Sequence, residues 1–161
     1  MDTNSIIERL ILGHYTVATA ESCTGGMVAS TIVDYSGASA CFNEGYVTYS
    51  NEAKIKNLAV KAETLEKFGA VSYETATEMA KGVKKKANSD FGLSTTGIAG
   101  PTGGSPKKPV GLVFIACAFD DKCIVKELHL KGDRMQVREQ ATEEVFSLLD
   151  ECLNGNQAIM S

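Results

Sequence analysis

Residues 16–27 read TVATAESCTGGM, and the fold turns on how this stretch divides. Tyr15 to Ala20 has the small and β-branched character of a buried strand. The chain breaks at Glu21-Ser22-Cys23-Thr24, passes the glycine pair Gly25-Gly26, and resumes at Met27 to Val33 as the apolar start of a helix reaching about Tyr35. A strand-to-helix turn of this kind sets a hydroxyl or thiol at the sheet edge. It also aims unpaired amides from the helix start into the same space. Paired glycines let another group approach the backbone. Such a turn can carry a nucleophile and bind an oxyanion through the amides of Cys23, Thr24, Gly25 and Gly26. It is equally a plain connection in which Ser22 or Thr24 is an N-cap.

Working outward, Ile6, Ile7, Leu10 and Ile11 fall at helical spacing before the first strand. After the turn residues Ser36 to Ser39, the segment FNEGYVTYS over 42–50 alternates and predicts a second strand. Ser50 or Asn51 caps a short helix with Ala53, Lys54, Ile55 and Leu58, and Glu63 to Phe68 forms another, ended by Gly69. Ser72 opens a longer helix whose apolar stripe is Ala76, Met79, Ala80, Val83 and Ala87. Phe91 to Thr95 is a buried strand that runs into the glycine-rich loop 97–104. Segments 111–119 and 123–130 pair across Asp120-Asp121-Lys122, and a last helix begins near Asp133. Strands and helices alternate until this hairpin. The pattern predicts one α/β domain over 1–161: an α/β/α sandwich with a mixed, mostly parallel sheet, its core spanning about 6–150 and a frayed tail over 154–161.

A length of 161 residues suits a single core, and 43% apolar with 22% charged residues is ordinary for a globular domain. The net charge of −4 argues against a nucleic-acid partner, and Lys84-Lys85-Lys86 reads as a solvated helix end. No segment has the length of a membrane span, and the acidic start lacks the basic region of a secretory signal. Five cysteines without a CxxC pair predict neither a disulfide framework nor a zinc site, which points to a reducing cytoplasm. No cofactor, metal or membrane is expected, and a homodimer is reasonable for a small α/β enzyme.

Ser22 and Cys23 are adjacent candidate nucleophiles, and each needs a base. His14 and His129 occupy poor contexts for that role, in front of one strand and within another. Lys54 is the better candidate, on the condition that burial or a nearby cation keeps part of it neutral; otherwise it is a surface lysine. Tyr46 and Tyr49 could offer a ring or a phenol to a ligand, but an alternating strand sends them to opposite sides. The loop 97–104 is neither a P-loop nor a dinucleotide fingerprint, although its glycines could present amides to an anion. Arg134 and Arg138, four apart, share a helix face and could clamp an anion.

Taken together and in order, Glu21-Ser-Cys-Thr-Gly-Gly26, Tyr46-Val-Thr-Tyr-Ser-Asn-Glu-Ala-Lys54, Thr96-Gly-Ile-Ala-Gly-Pro-Thr-Gly-Gly104 with Lys108-Pro-Val-Gly111, and Gly132-Asp133-Arg134 with Arg138 resemble one family. It is the C-terminal domain of the competence/damage-inducible protein CinA, whose stand-alone form is nicotinamide-nucleotide amidase. The resemblance runs from about Ile6 to Leu149. It implies a metal-free amidohydrolase that converts nicotinamide mononucleotide to nicotinic acid mononucleotide and ammonia by a serine–lysine mechanism. On this match Ser22 is the nucleophile and Lys54 its base, with Tyr49 nearby. Tyr46, Thr96, Gly97, Gly100, Gly103, Gly104, Arg134 and Arg138 are the expected contacts to the nucleotide. Many family members carry an additional N-terminal domain that this sequence does not show, so it looks like the stand-alone form. Two rival readings stay open: a thiol amidase built on Cys23, and a nucleotide-binding regulatory module without turnover.

Overall fold

The computed structural model describes residues 2–160, with backbone only for 156–160. Helix α1 (Thr3–Leu12) is capped by the Asp2 carboxylate and stops where the Tyr15 amide reaches back to the Leu10 carbonyl at 2.9 Å. That bond assigns Tyr15 to the helix end, so β1 is Val17–Glu21 and begins two residues later than the apolar run suggests. The chain continues through α2 (Met27–Val33), a single 3-10 turn (Ala38–Ala40), β2 (Phe42–Val47), α3 (Asn51–Leu58), α4 (Ala62–Phe68), α5 (Tyr73–Ala87), β3 (Phe91–Gly97), β4 (Leu112–Phe119), β5 (Lys122–His129) and α6 (Arg134–Met160). Strand β2 ends three residues before Ser50, because the carbonyls of Thr48 and Tyr49 leave the ladder to accept the Lys54 ammonium. The tail expected to fray from Asn154 is helical backbone to Met160, since Gly155 adopts no left-handed stop; Ser161 lies outside the described residues.

The sheet order is β2-β1-β3-β4-β5. β1 pairs in parallel with β2 and with β3, and β4 is antiparallel to both of its neighbours, so β4 alone runs against the other four strands. Period-2 alternation divides the core between the two faces. On β4, Val113, Ile115, Cys117 and Phe119 face α1, α2 and α6, where Ile6, Leu10, Val28, Val145 and Leu149 complete the largest apolar cluster. Leu112, Phe114, Ala116 and Ala118 face α5. The α5 face is lined with small residues, so that helix lies close. A Cβ on Gly92 would come within 2.3 Å of the Ala80 carbonyl oxygen, and one on Gly82 within 2.0 Å of the Leu58 carbonyl oxygen.

This topology places the site. From β1 the chain moves through α2 to β2 on one side, then returns through α3–α5 to β3 on the other side. The two connections cover opposite faces, so the carboxyl end of β1 is a switch point where an open α/β sheet leaves a crevice. Ser22 stands at that end.

Candidate active site

The turn after β1 is held from within by a buried carboxylate. Glu21 is 1% exposed, accepts the Thr24 hydroxyl at 2.5 Å, and accepts the Val28 and Ala29 amides at 2.9 and 3.1 Å. A carboxylate at the start of α2 satisfies amides that would otherwise be orphaned and complements the helix dipole. The Thr24 hydroxyl also lies 2.8 Å from that of Thr95 on β3. Thr95 in turn fixes the Ser22 amide, which donates to its carbonyl at 3.0 Å and contacts its hydroxyl at 3.3 Å. Gly25 and Gly26 take φ of +58° and +106°, conformations open to glycine, and so turn the chain into the helix.

Facing this turn is Lys54, 1% exposed and among the largest fully buried side chains of the described residues. Ser50 caps α3 by accepting the Ala53 amide at 3.0 Å, which sets Lys54 in the first turn pointing inward. Its Nζ donates to Ser22 Oγ at 3.1 Å and to the Thr48 carbonyl at 2.8 Å, with the Tyr49 carbonyl at 3.5 Å. Among the described residues it has no carboxylate partner. Burial therefore pulls the amine below its usual pKa, opposed only by the charge that a Cys23 thiolate would bring. Cys23 is also buried, and desolvation pushes its thiol up to about 11 against the opposing pull of Thr95 and Arg138. At neutral pH it is a thiol, with weak nucleophilic character.

Ser22, Cys23, Lys54 and Tyr49 open on a cavity of about 190 Å³, closed by Ala70, Val71, Thr96, Gly97, Ala99 and Arg134. That volume is below the roughly 300 Å³ of a typical small-molecule pocket, so it suits a head group whose remainder extends outward. Wider depressions of about 440 and 420 Å³ lie at the Lys81–Lys122 corner and between α2 and α6, but neither includes Ser22 or Lys54.

Other expected contacts are distributed unevenly. Thr96 and Gly97 line the cavity, with the Thr96 hydroxyl donating to the Ala70 carbonyl at 2.8 Å. Arg134 donates to the Gly100 carbonyl at 2.8 Å and to the Tyr49 phenol at 3.2 Å, forming the mouth. Tyr49 thus meets Lys54 through its carbonyl; its ring is exposed at the rim. Tyr46 does not line the cavity: its phenol donates to Glu44, and Lys86 sits 5.0 Å over its ring, because its alternation on β2 turns it toward α5. Gly103 and Gly104 lie away from the cavity lining, Gly104 folded against the Val110 backbone. Arg138 is turned onto the Cys23 and Thr24 carbonyls. Of the turn amides, Gly25 donates to the Ser22 carbonyl at 3.1 Å, and the Cys23 amide faces its own sulfur. Among the described hydrogen bonds, the Thr24 and Gly26 amides have no acceptor. Sequence reasoning did not find the roles of Glu21 and Thr95, nor the Ala70-Val71 wall. A lone acid ending an apolar strand was a usable signal for Glu21; nothing marks Ala70.

No described helix is long and apolar enough to cross a membrane, and no three described His, Cys, Asp or Glu side chains gather as a metal-ligating group. Residues 2–153 match the CinA C-terminal domain family. A CinA-like protein of Kosmotoga olearia is 61% identical over 126 residues, covering 78% of this chain and 31% of its own length. A relative from Thermoanaerobacter sp. (strain X514) is 56% identical over 145 residues, covering 90% of this chain and 34% of its own length. The chain therefore spans about a third of the curated relatives it matches. The crystal structure of competence/damage inducible protein CihA from Agrobacterium tumefaciens superposes with a TM-score of 0.88 at 38% identity, covering 96% of each chain. That of competence damage-inducible protein A from Klebsiella pneumoniae subsp. pneumoniae MGH 78578 does so with a TM-score of 0.91 at 34% identity, covering 96% of this chain and 98% of that one. With a family match over residues 2–153 and a fold shared with these structures, this chain belongs to the CinA C-terminal domain family.

Proposed function

We propose that this domain is a serine–lysine amidohydrolase that removes ammonia from the carboxamide of nicotinamide mononucleotide. The observation that carries the reading is the 3.1 Å contact between Lys54 Nζ and Ser22 Oγ in a buried site where the amine has no acid partner among the described residues. A neutral Lys54 accepts the Ser22 proton as Oγ bonds to the carboxamide carbon, and the carbonyl oxygen becomes an oxyanion beside the turn amides. Collapse breaks the C–N bond, and Lys54 returns the proton to the departing nitrogen, which leaves as ammonia. Water, deprotonated by Lys54, then cleaves the acyl-serine, and the nicotinic acid product leaves with Ser22 restored. The cavity of about 190 Å³ suits the pyridine carboxamide, with the ribose phosphate outside it near Arg134 at the mouth.

The test is ammonia release from nicotinamide mononucleotide, without added metal, by wild type, Ser22→Ala and Cys23→Ala. Turnover by wild type and Cys23→Ala, with none from folded Ser22→Ala, is the expected result. The inverse pattern moves the nucleophile to Cys23. Mononucleotide binding without ammonia from any of the three replaces the enzyme by a binding module.

A further inference from the structure

Arg134 and Arg138 stand four residues apart on α6, a spacing that suits one shared anion, yet their side chains serve different partners. Arg134 reaches the Gly100 carbonyl and the Tyr49 phenol. Arg138 Nε donates to the Cys23 carbonyl at 3.0 Å, and its Nη2 to the Thr24 carbonyl at 3.1 Å. We propose that Arg138 is a positioning residue for acyl transfer: its guanidinium fixes and polarises the backbone beside Ser22 and does not hold the substrate's phosphate. This inference rests on the amidase reading above.

Two consecutive carbonyls occupy the Nε and Nη2 arms of one rigid planar fork, where a lysine would offer a single point donor on a flexible stem. A trans peptide holds its N–H opposite its C=O. Pinning the Cys23 carbonyl therefore fixes the direction of the Thr24 amide, which has no acceptor among the described hydrogen bonds. On the other side of the turn, the Gly25 amide holds the Ser22 carbonyl at 3.1 Å, so the peptides flanking Cys23 are locked from both directions. Gly25 makes the approach possible: a Cβ there would lie 3.3 Å from Nη2, at a φ of +58° that L side chains rarely adopt. Buried Val137 and Ala141 anchor the stretch of α6 from which the arginine projects.

The charge matters less than the geometry. Among the described residues Arg138 has no carboxylate in ion-pair reach, although the buried Glu21 carboxylate lies against the same turn. At the Cys23 sulfur it favours the anion, against burial and the opposing charge of Glu21. The guanidinium therefore acts on the turn chiefly through its two hydrogen bonds, which orient the Thr24 amide toward an oxyanion formed at Ser22.

The experiment compares wild type, R138K and R138Q, each checked for folding by thermal melting. The substrates are nicotinamide mononucleotide and its dephosphorylated riboside. A parallel series follows labelling of Ser22 by a sulfonyl fluoride. A positioning role predicts that R138Q lowers kcat on both substrates by the same factor, about 10- to 100-fold, on the scale of weakening an oxyanion donor. KM should move less than about twofold, Ser22 labelling should slow in parallel, and R138K should fall between. A loss confined to the mononucleotide and carried by KM would overturn the proposal in favour of a direct phosphate contact. Equal labelling rates in all three proteins would also overturn it. If wild type is labelled but releases no ammonia, the amidase reading fails and the labelling series alone decides the role of Arg138. A wild type that is neither active nor labelled sinks both. Should R138Q not fold, the labelling rate of R138K decides.

Discussion

Replacing Lys54 by methionine separates the proton-acceptor role proposed for this side chain from its part in filling buried space. Methionine keeps the length and apolar body of lysine but removes the amine 3.1 Å from Ser22 Oγ. General-base assistance is worth about 10²- to 10⁴-fold, so kcat/KM for ammonia release should fall by that factor, about 3–5 kcal/mol of transition-state stabilisation. Stability responds differently. The variant no longer buries a cation, but it strips a donor from the Thr48 and Tyr49 carbonyls, and each unsatisfied buried acceptor costs about 1–3 kcal/mol. These effects oppose one another near neutral pH, and the pH dependence distinguishes them. The folded-state pKa of Lys54 lies below the 10.5 of an exposed lysine, so the unfolded chain holds this proton more tightly. Wild-type stability therefore rises with pH between the lowered pKa and 10.5, a gain the methionine variant lacks. Melting curves taken from neutral pH upward should show the variant losing ground relative to wild type as pH climbs through that window. Wild-type kcat/KM should rise over the same range as the amine loses its proton. A variant that keeps more than about a tenth of wild-type kcat/KM would refute the lysine base. A stability difference flat across the window would refute the burial argument.

Two further substitutions test the scaffold that holds the pair. Gly82→Ala gains about 1 kcal/mol of helix propensity, but its Cβ would sit 2.0 Å from the Leu58 carbonyl oxygen and force α3 off α5. Overpacking of this kind costs about 1–3 kcal/mol, so Tm should fall, and kcat with it, because Lys54 rides one turn before Leu58; a raised Tm would show that α3 is free to move. Glu21→Gln replaces one carboxylate oxygen by an amide that confronts the Val28 or Ala29 N–H, or the Thr24 hydroxyl. Losing one charge-assisted bond and orphaning a donor should cost about 3 kcal/mol, a Tm drop of about 6–12 °C for a domain of this size. A change of less than about 2 °C would mean that Glu21 does not brace the turn.

The layers of this fold were legible because they rest on periodicity. The unbroken apolar run of β4 reports a strand buried on both faces, and the stripe Ala76, Met79, Ala80, Val83 on α5 reports one buried helix face; both faces of the sheet are covered as that pattern demands. Element ends were less legible where tertiary bonds override local preference. Tyr15 looks like strand and caps a helix, while Thr48 and Tyr49 look like strand and serve as acceptors for a lysine. The pairing of Ser22 with Lys54 rested on the family resemblance; composition alone left Lys54 a surface lysine. Only the crossover from β2 to β3 over β1 explains why residues 32 apart in the chain touch.

Two of the expected contacts are drawn to other partners in the fold. Spacing along a helix fixes which side chains share a face, but not what faces them. Arg134 and Arg138 satisfy the spacing for a common anion, and the Cys23 and Thr24 carbonyls take one of the two away. Tyr46 has the chemistry of a ligand contact, and the pleat of β2 turns it toward Lys86. Backbone carbonyls recur along the whole sequence, so those that capture Arg138 leave no trace in it, whereas Tyr46 is taken by the side chains of Glu44 and Lys86. The same reasoning applies to the turn after β1. Its three braces are the Glu21 carboxylate on the α2 amides, Thr95 on the Ser22 amide, and Arg138 on the Cys23 and Thr24 carbonyls, and all three join a side chain to backbone. A serine held by its backbone keeps its own Oγ free for Lys54, and the geometry of the Ser22–Lys54 pair is therefore set by side chains that contact neither Oγ nor Nζ.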